Sequence, residues 1–127
     1  MMSKIVKKLT ITRWRWYRGH GPSHLLKNNL MCPLGFLAEK LGHLLEDFDN
    51  VAYPSEVAAK GTGVVWPDAL VKTSVKKYKQ YDEIEYIDTP LCVQIVRVSD
   101  AKNIREPERE RRLIQLFKKA GIQVKFV

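Results

Sequence analysis

The order of residue types along the chain predicts an α+β fold, with a mixed, mainly antiparallel sheet carrying two or three helices on one face. Three observations lead there. Segments rich in β-branched and aromatic residues stand near both ends of the sequence. Between them, two stretches space their apolar residues as helices do. No repeat, low-complexity tract or long linker divides the 127 residues, so one domain over 1–127 is expected.

Residues 5–17 read as a strand, followed by a turn at Arg18-Gly19-His20-Gly21-Pro22 and a return strand over 23–32 that would complete a hairpin. Pro33 suits a first helical position, where its missing N–H would be unpaired anyway. Leu34, Leu37, Ala38 and Leu41 then follow helical spacing, and Gly42 supplies the stop. Residues 46–68 look irregular, with a helical turn begun by Ser55 and ended by Gly61. Residues 84–98 read as one or two strands around Pro90, because Cys92 to Val98 is strongly β in type. The clearest helix starts at Pro107. Glu106, Glu108 and Glu110 crowd its first turn, Lys118 and Lys119 its last, and Gly121 ends it, so both charge placements oppose the macrodipole. Leu113, Leu116, Phe117 and Ala120 form its core stripe. In the terminal strand Ile122, Val124 and Phe126 alternate with Gln123 and Lys125. With Val127 beside them this strand is a poor exposed edge, which predicts a homo-oligomer.

Charge bounds the function. The net value is +8, but its distribution is more telling. Residues 1–38 hold seven Lys or Arg and no acid, residues 39–71 hold six acids and two lysines, and residues 94–127 hold nine basic and four acidic residues. Two basic segments around an acidic middle suggest an electropositive region assembled from both chain ends, unless the charge serves solubility alone. No window is long and apolar enough for a membrane span, so no membrane partner is expected, and Met1 to Lys8 is not read as a secretory signal. Cys32 and Cys92 are too few for a disulfide framework, which points to a reduced, cytoplasmic setting.

Catalytic signatures are missing from the pattern. Neither cysteine has a meaningful histidine arrangement and no carboxylate pair stands out, so the chain is read as a non-enzyme needing no cofactor. His20, His24, Cys32 and Cys92 match no zinc-ligand spacing. Two constellations remain. Arg13-Trp14-Arg15-Trp16-Tyr17-Arg18 interleaves arginines with aromatics, and on a strand the two tryptophans share a face, either as core or as stacking platforms. Arg18 abuts the glycine-rich turn, whose backbone permits close approach of a ligand. In the last helix, Arg109 and Arg112 lie one turn before Leu113 and Leu116, on the side of the apolar stripe and near the helix N-terminus. That position suits an anionic ligand, and equally a structural salt bridge.

Taken together, Arg18-Gly19-x-Gly21, Cys32-x-Leu34-Gly35-Phe36, Trp66-Pro67, Asp100, Glu108-Arg109-Glu110, Leu116-Phe117 and Gly121-Ile122-x-Val124-x-Phe126 resemble a group of small phage and prophage proteins. Pro33 and Ser99 depart from that pattern, which has a second cysteine and an asparagine there. The size, element order and C-terminal layout also look like phage anti-defence sponges of the anti-Thoeris kind. The resemblance implies an oligomer that sequesters a cyclic ADP-ribose-type signal, and in some relatives cyclic oligonucleotides, without cleaving it. It would place Arg109, Arg112, Ser99 and Asp100 in a signal pocket with Tyr86 stacking on the base. Arg18, Gly19, His20 and Gly21 would form a second site. The alternative is a nucleic-acid-binding phage protein, or an inhibitor of a CRISPR effector, for which weak and non-specific nucleic-acid binding is the minimum expectation.

Overall fold

A computed structural model describes residues 6–19 and 24–127; His20, Gly21 and Pro22 of the expected turn lie outside the described residues. The fold is α+β. Among the described residues its strands form two separate two-stranded sheets rather than one mixed sheet.

The first sheet joins the two ends of the chain. Strand β1 (Lys8–Ile11) pairs in parallel with β4 (Gln123–Phe126), in the register Lys8 to Gln123 and Ile11 to Phe126. Leu9, Ile11, Val124 and, in part, Phe126 point inward; Lys8, Thr10, Gln123 and Lys125 point out. The expected long strand over 5–17 stops at Ile11, because Arg13–Arg15 wind into a single 3₁₀ turn closed by the Trp16 N–H on the Arg13 carbonyl at 3.2 Å. The turn breaks the alternation, so the tryptophans part company: Trp16 is 4% exposed and Trp14 78%. Residues 24–32 do not return as a hairpin strand either. Trp16 meets Met31 in an isolated parallel bridge, and Asn28 and Asn29 both take left-handed backbone, turning the chain at once.

Helix α1 (Pro33–Leu41) follows expectation, capped by Gly42 at φ 109°. Gly35 is required by packing: a Cβ there would lie 1.9 Å from the Leu25 carbonyl oxygen. Two short helices follow, α2 (Leu45–Phe48) and α3 (Pro54–Ala58), the second close to the helical turn expected at Ser55.

Strands β2 (Val71–Lys77) and β3 (Asp82–Asp88) form an antiparallel ribbon anchored at its base on α3. The strand expected through Cys92–Val98 is instead the helix α4 (Pro90–Asp100). Pro90 opens it, and the Thr89 hydroxyl accepts the Cys92 N–H at 3.2 Å. Cys92, Ile95, Val96 and Ser99 are its buried residues, at i, i+3, i+4 and i+7. A cap and a helical stripe thus outweigh the β preference of its branched residues, which is a weak prior. Helix α5 (Glu106–Lys119) packs on α4 and β4 through Leu113 and Phe117, both fully buried.

Candidate functional site

The structure draws four of the expected site residues into one cluster. Arg18, Gly19, Ser99 and Arg109 come from two segments that the sequence reading treats as separate sites. Arg109 is 1% exposed. Its Nη1 donates to the carbonyls of Val98 and Ser99 at 2.6 and 2.9 Å, its Nη2 to that of Ile104 at 2.9 Å, and its Nε to Glu106 at 3.3 Å. The guanidinium therefore stitches the end of α4 to the start of α5, satisfying carbonyls that a helix C-terminus leaves without partners. Gly19 lies directly over it: with φ 72°, its N–H donates to the Ser99 carbonyl at 2.8 Å, and a Cβ there would stand 3.0 Å from Arg109 Nη2. Trp16 Nε1 donates to Ser99 Oγ at 3.2 Å. Arg18 stacks on the Trp16 ring at 4.3 Å and pairs with Glu106 at 2.6 Å.

This cluster is a clasp whose cationic groups are spent on its own backbone and carboxylates. The bonds of Arg109 are those of the structural reading, although its partners are mainly carbonyls rather than an acid. Arg112 does not join it. Its side chain is half exposed and pairs with Glu108 at 2.9 Å, so only one of the two arginines faces the core. Tyr86 is also elsewhere, half-buried on β3 against the core. Asp100, half-buried at the end of α4, is engaged within the chain. His20 and Gly21 lie outside the described residues.

Nucleophilic cysteine chemistry has little support in the surroundings of either thiol. Both cysteines are buried, and desolvation pushes Cys32 up to about 12 and raises Cys92 further. An open depression of about 350 Å³ is lined by Glu46 and Asp49, the wrong sign for an anion.

Among the described residues, lysines outside any ion pair lie on the outer face of the β1–β4 ribbon. Lys8 sits beside Gln123 and Thr10 beside Lys125, all four exposed and none acidic. Lys40 borders the same ribbon in a shallow depression with Leu9, Thr10, Phe36 and Glu39. At the ribbon's far end stands Trp14, and its exposure has a cause. Arg13 is drawn to Glu110 on α5 by two hydrogen bonds of 2.7 and 2.8 Å, which hold the Glu110 carboxyl below its usual range. Arg15 is drawn the other way, to Glu39 on α1 at 3.6 Å and over the Phe36 ring. The indole between them projects into solvent. Alternation alone could not reveal this; the signal was an acid-free N-terminal segment next to the single tryptophan flanked by two arginines.

Comparisons with protein-family models, with curated proteins and with solved structures find no match.

Proposed function

We propose that this protein is a non-catalytic binder of phosphate-bearing ligands, and that the ligand is a nucleic-acid strand lying along the β1–β4 ribbon. The single observation that carries this reading is the exposed set Lys8, Lys125 and Trp14, drawn from both chain ends, with Lys8 and Lys125 facing outward opposite Gln123 and Thr10 and with Glu39 as an acid at the ribbon's border. Lysines that hold no carboxylate can neutralise phosphates, and an indole standing clear of the surface can stack on any base. An open ribbon follows a backbone better than it encloses a single nucleotide.

The test is binding of a single-stranded 12-mer as salt is varied. For about three phosphates contacted, log K should fall against log[salt] with a slope near −2. Lys8→Glu with Lys125→Glu should flatten that slope and weaken binding at least about tenfold at low salt. Binding unchanged in that variant would overturn the assignment of the face.

A second reading has one observation in its favour. Sequestration of a cyclic nucleotide immune signal by a phage-encoded sponge, as the resemblance implies, gains from the meeting of Arg18, Gly19, Ser99 and Arg109 in one cluster. Against it stand the occupied donors of Arg109 and the separation of Tyr86 and Arg112 from the clasp. Mass spectrometry of small molecules released by heat from the purified protein distinguishes the two: a stoichiometric nucleotide would favour the sponge. The cytoplasmic setting belongs to this proposal as well; no helix of the described residues is long and apolar enough to cross a membrane.

A further inference from the structure

The β2–β3 ribbon has two faces with different surroundings. On one, Val71 is buried, Tyr86 is half-buried, and Asp88 accepts hydrogen bonds from the N–H and hydroxyl of Ser55, so α3 covers the base, while the aliphatic pair Val75 and Ile84 further out is 54 and 56% exposed. The other face carries Lys72 and Lys76 on β2, Glu83 and Glu85 on β3, Ile87 near the base and the stacked pair Tyr78 and Tyr81 at the tip, and all of them are exposed. Lys76 stands opposite Glu83 and bonds Glu85 diagonally at 3.4 Å. Cross-strand pairing within one chain accounts for those charges. Tyr78 donates its hydroxyl to Glu83 at 3.2 Å, yet its ring and those of its neighbours stay open: Tyr78, Tyr81 and Ile87 are 48, 62 and 45% exposed on a face that no described residue covers.

We propose that this face is a contact with a second copy of the chain, related by a two-fold axis running along the ribbon. The charge pattern selects both the partner and the axis. All the bases of the face lie on β2 and all its acids on β3, so a partner of one sign would meet attraction and repulsion in equal measure. A two-fold axis along the ribbon lays β2 over the partner's β3, setting Lys76 on Glu83 of the partner subunit and Tyr78 on Tyr81 of the partner subunit, and the reverse. An axis across the ribbon would set lysine on lysine. This places self-association away from the terminal strand, where the sequence suggests it, because Ile122 and Val124 are buried within their own chain and Phe126 packs at 4.9 Å on Trp16.

A small ribbon contact belongs with weak, micromolar association, so the protein is examined at about 100 μM. The exchange Lys72→Glu, Lys76→Glu, Glu83→Lys and Glu85→Lys keeps the net charge and the cross-strand ion pairs in reversed order while inverting the polarity of the face; it gives up the Tyr78–Glu83 hydrogen bond. Wild type and the exchanged variant should each sediment as dimers. In native mass spectrometry of an isotope-labelled mixture, mixed dimers should fall at least about tenfold below their statistical share, since each would oppose like charges. Tyr81→Lys, checked for fold by circular dichroism, should be a monomer. A wild-type monomer at that concentration, free mixing of the two forms, or a dimeric Tyr81→Lys protein would each overturn the proposal.

Discussion

Arg109 and Arg112 are neighbours in sequence and opposites in role. Truncating Arg109 strands the carbonyls of Val98, Ser99 and Ile104. Each hydrogen bond to a charged group contributes about 1.5–3 kcal/mol, so Arg109→Ala should cost about 3 kcal/mol or more and lower the melting temperature by about 10 °C. Arg109→Lys should rescue little, because an ammonium cannot span three carbonyls in the geometry of a planar fork. Arg112→Ala removes one exposed ion pair and should change stability by at most about 0.5 kcal/mol. Thermal melts of the three variants check the set; an Arg109→Ala protein that melts like wild type contradicts the clasp. A second residue sets a pH dependence. Buried His43 accepts the Trp66 indole N–H on Nε2 at 3.0 Å and so must be unprotonated there. Burial lowers its pKa below the ordinary 6.5, with Lys60 adding to the effect and Asp47 opposing it. The unfolded chain therefore takes up the proton first as pH falls. The contribution of His43 is complete above the ordinary value and is lost progressively below it. Denaturant melts at pH 7.5, 6 and 5 should show that loss, and His43→Gln should show a smaller one.

At the scale of elements, α1, α5 and β4 were legible because several local signals agree at each. In α5 the acidic first turn, the basic last turn, the apolar stripe and Gly121 all mark the same helix. Helix α4 was misread because its signals conflict. Val93, Ile95, Val96 and Val98 favour strand, whereas Thr89, Pro90 and the spacing of Cys92, Ile95, Val96 and Ser99 favour helix. Thr89→Ala removes the cap and should cost about 1 kcal/mol, read by denaturant unfolding; a neutral result would mean that packing alone holds the helix. The strand over 5–17 gives way after Ile11 to the 3₁₀ turn Arg13–Arg15, whose Arg13 reaches Glu110 across 97 residues of sequence, a contact that no periodicity encodes. The same long-range pairing explains the site. Arg18, Gly19, Ser99 and Arg109 were legible as special residues, yet their common cluster depends on tertiary contacts, and so do the bonds from Arg109 to the carbonyls of Val98, Ser99 and Ile104.

Across the whole molecule, the charge distribution was the most informative feature of the sequence. An electropositive region built from both chain ends was expected, and the parallel pairing of β1 with β4 sets Lys8 and Lys125 on one outward face. The tryptophans make that face open to a direct optical test, because Trp16 and Trp66 are 4% exposed and Trp14 is 78% exposed. Titration of the protein with a single-stranded 12-mer, followed by tryptophan fluorescence, reports on Trp14 alone if a base stacks on it. Stacking contributes about 1–3 kcal/mol per base, so Trp14→Ala should weaken binding at least about fivefold. The account predicts saturable quenching that disappears in Trp14→Phe read through its remaining indoles; undiminished quenching in that variant, or no change in the wild type at saturating oligonucleotide, would contradict it.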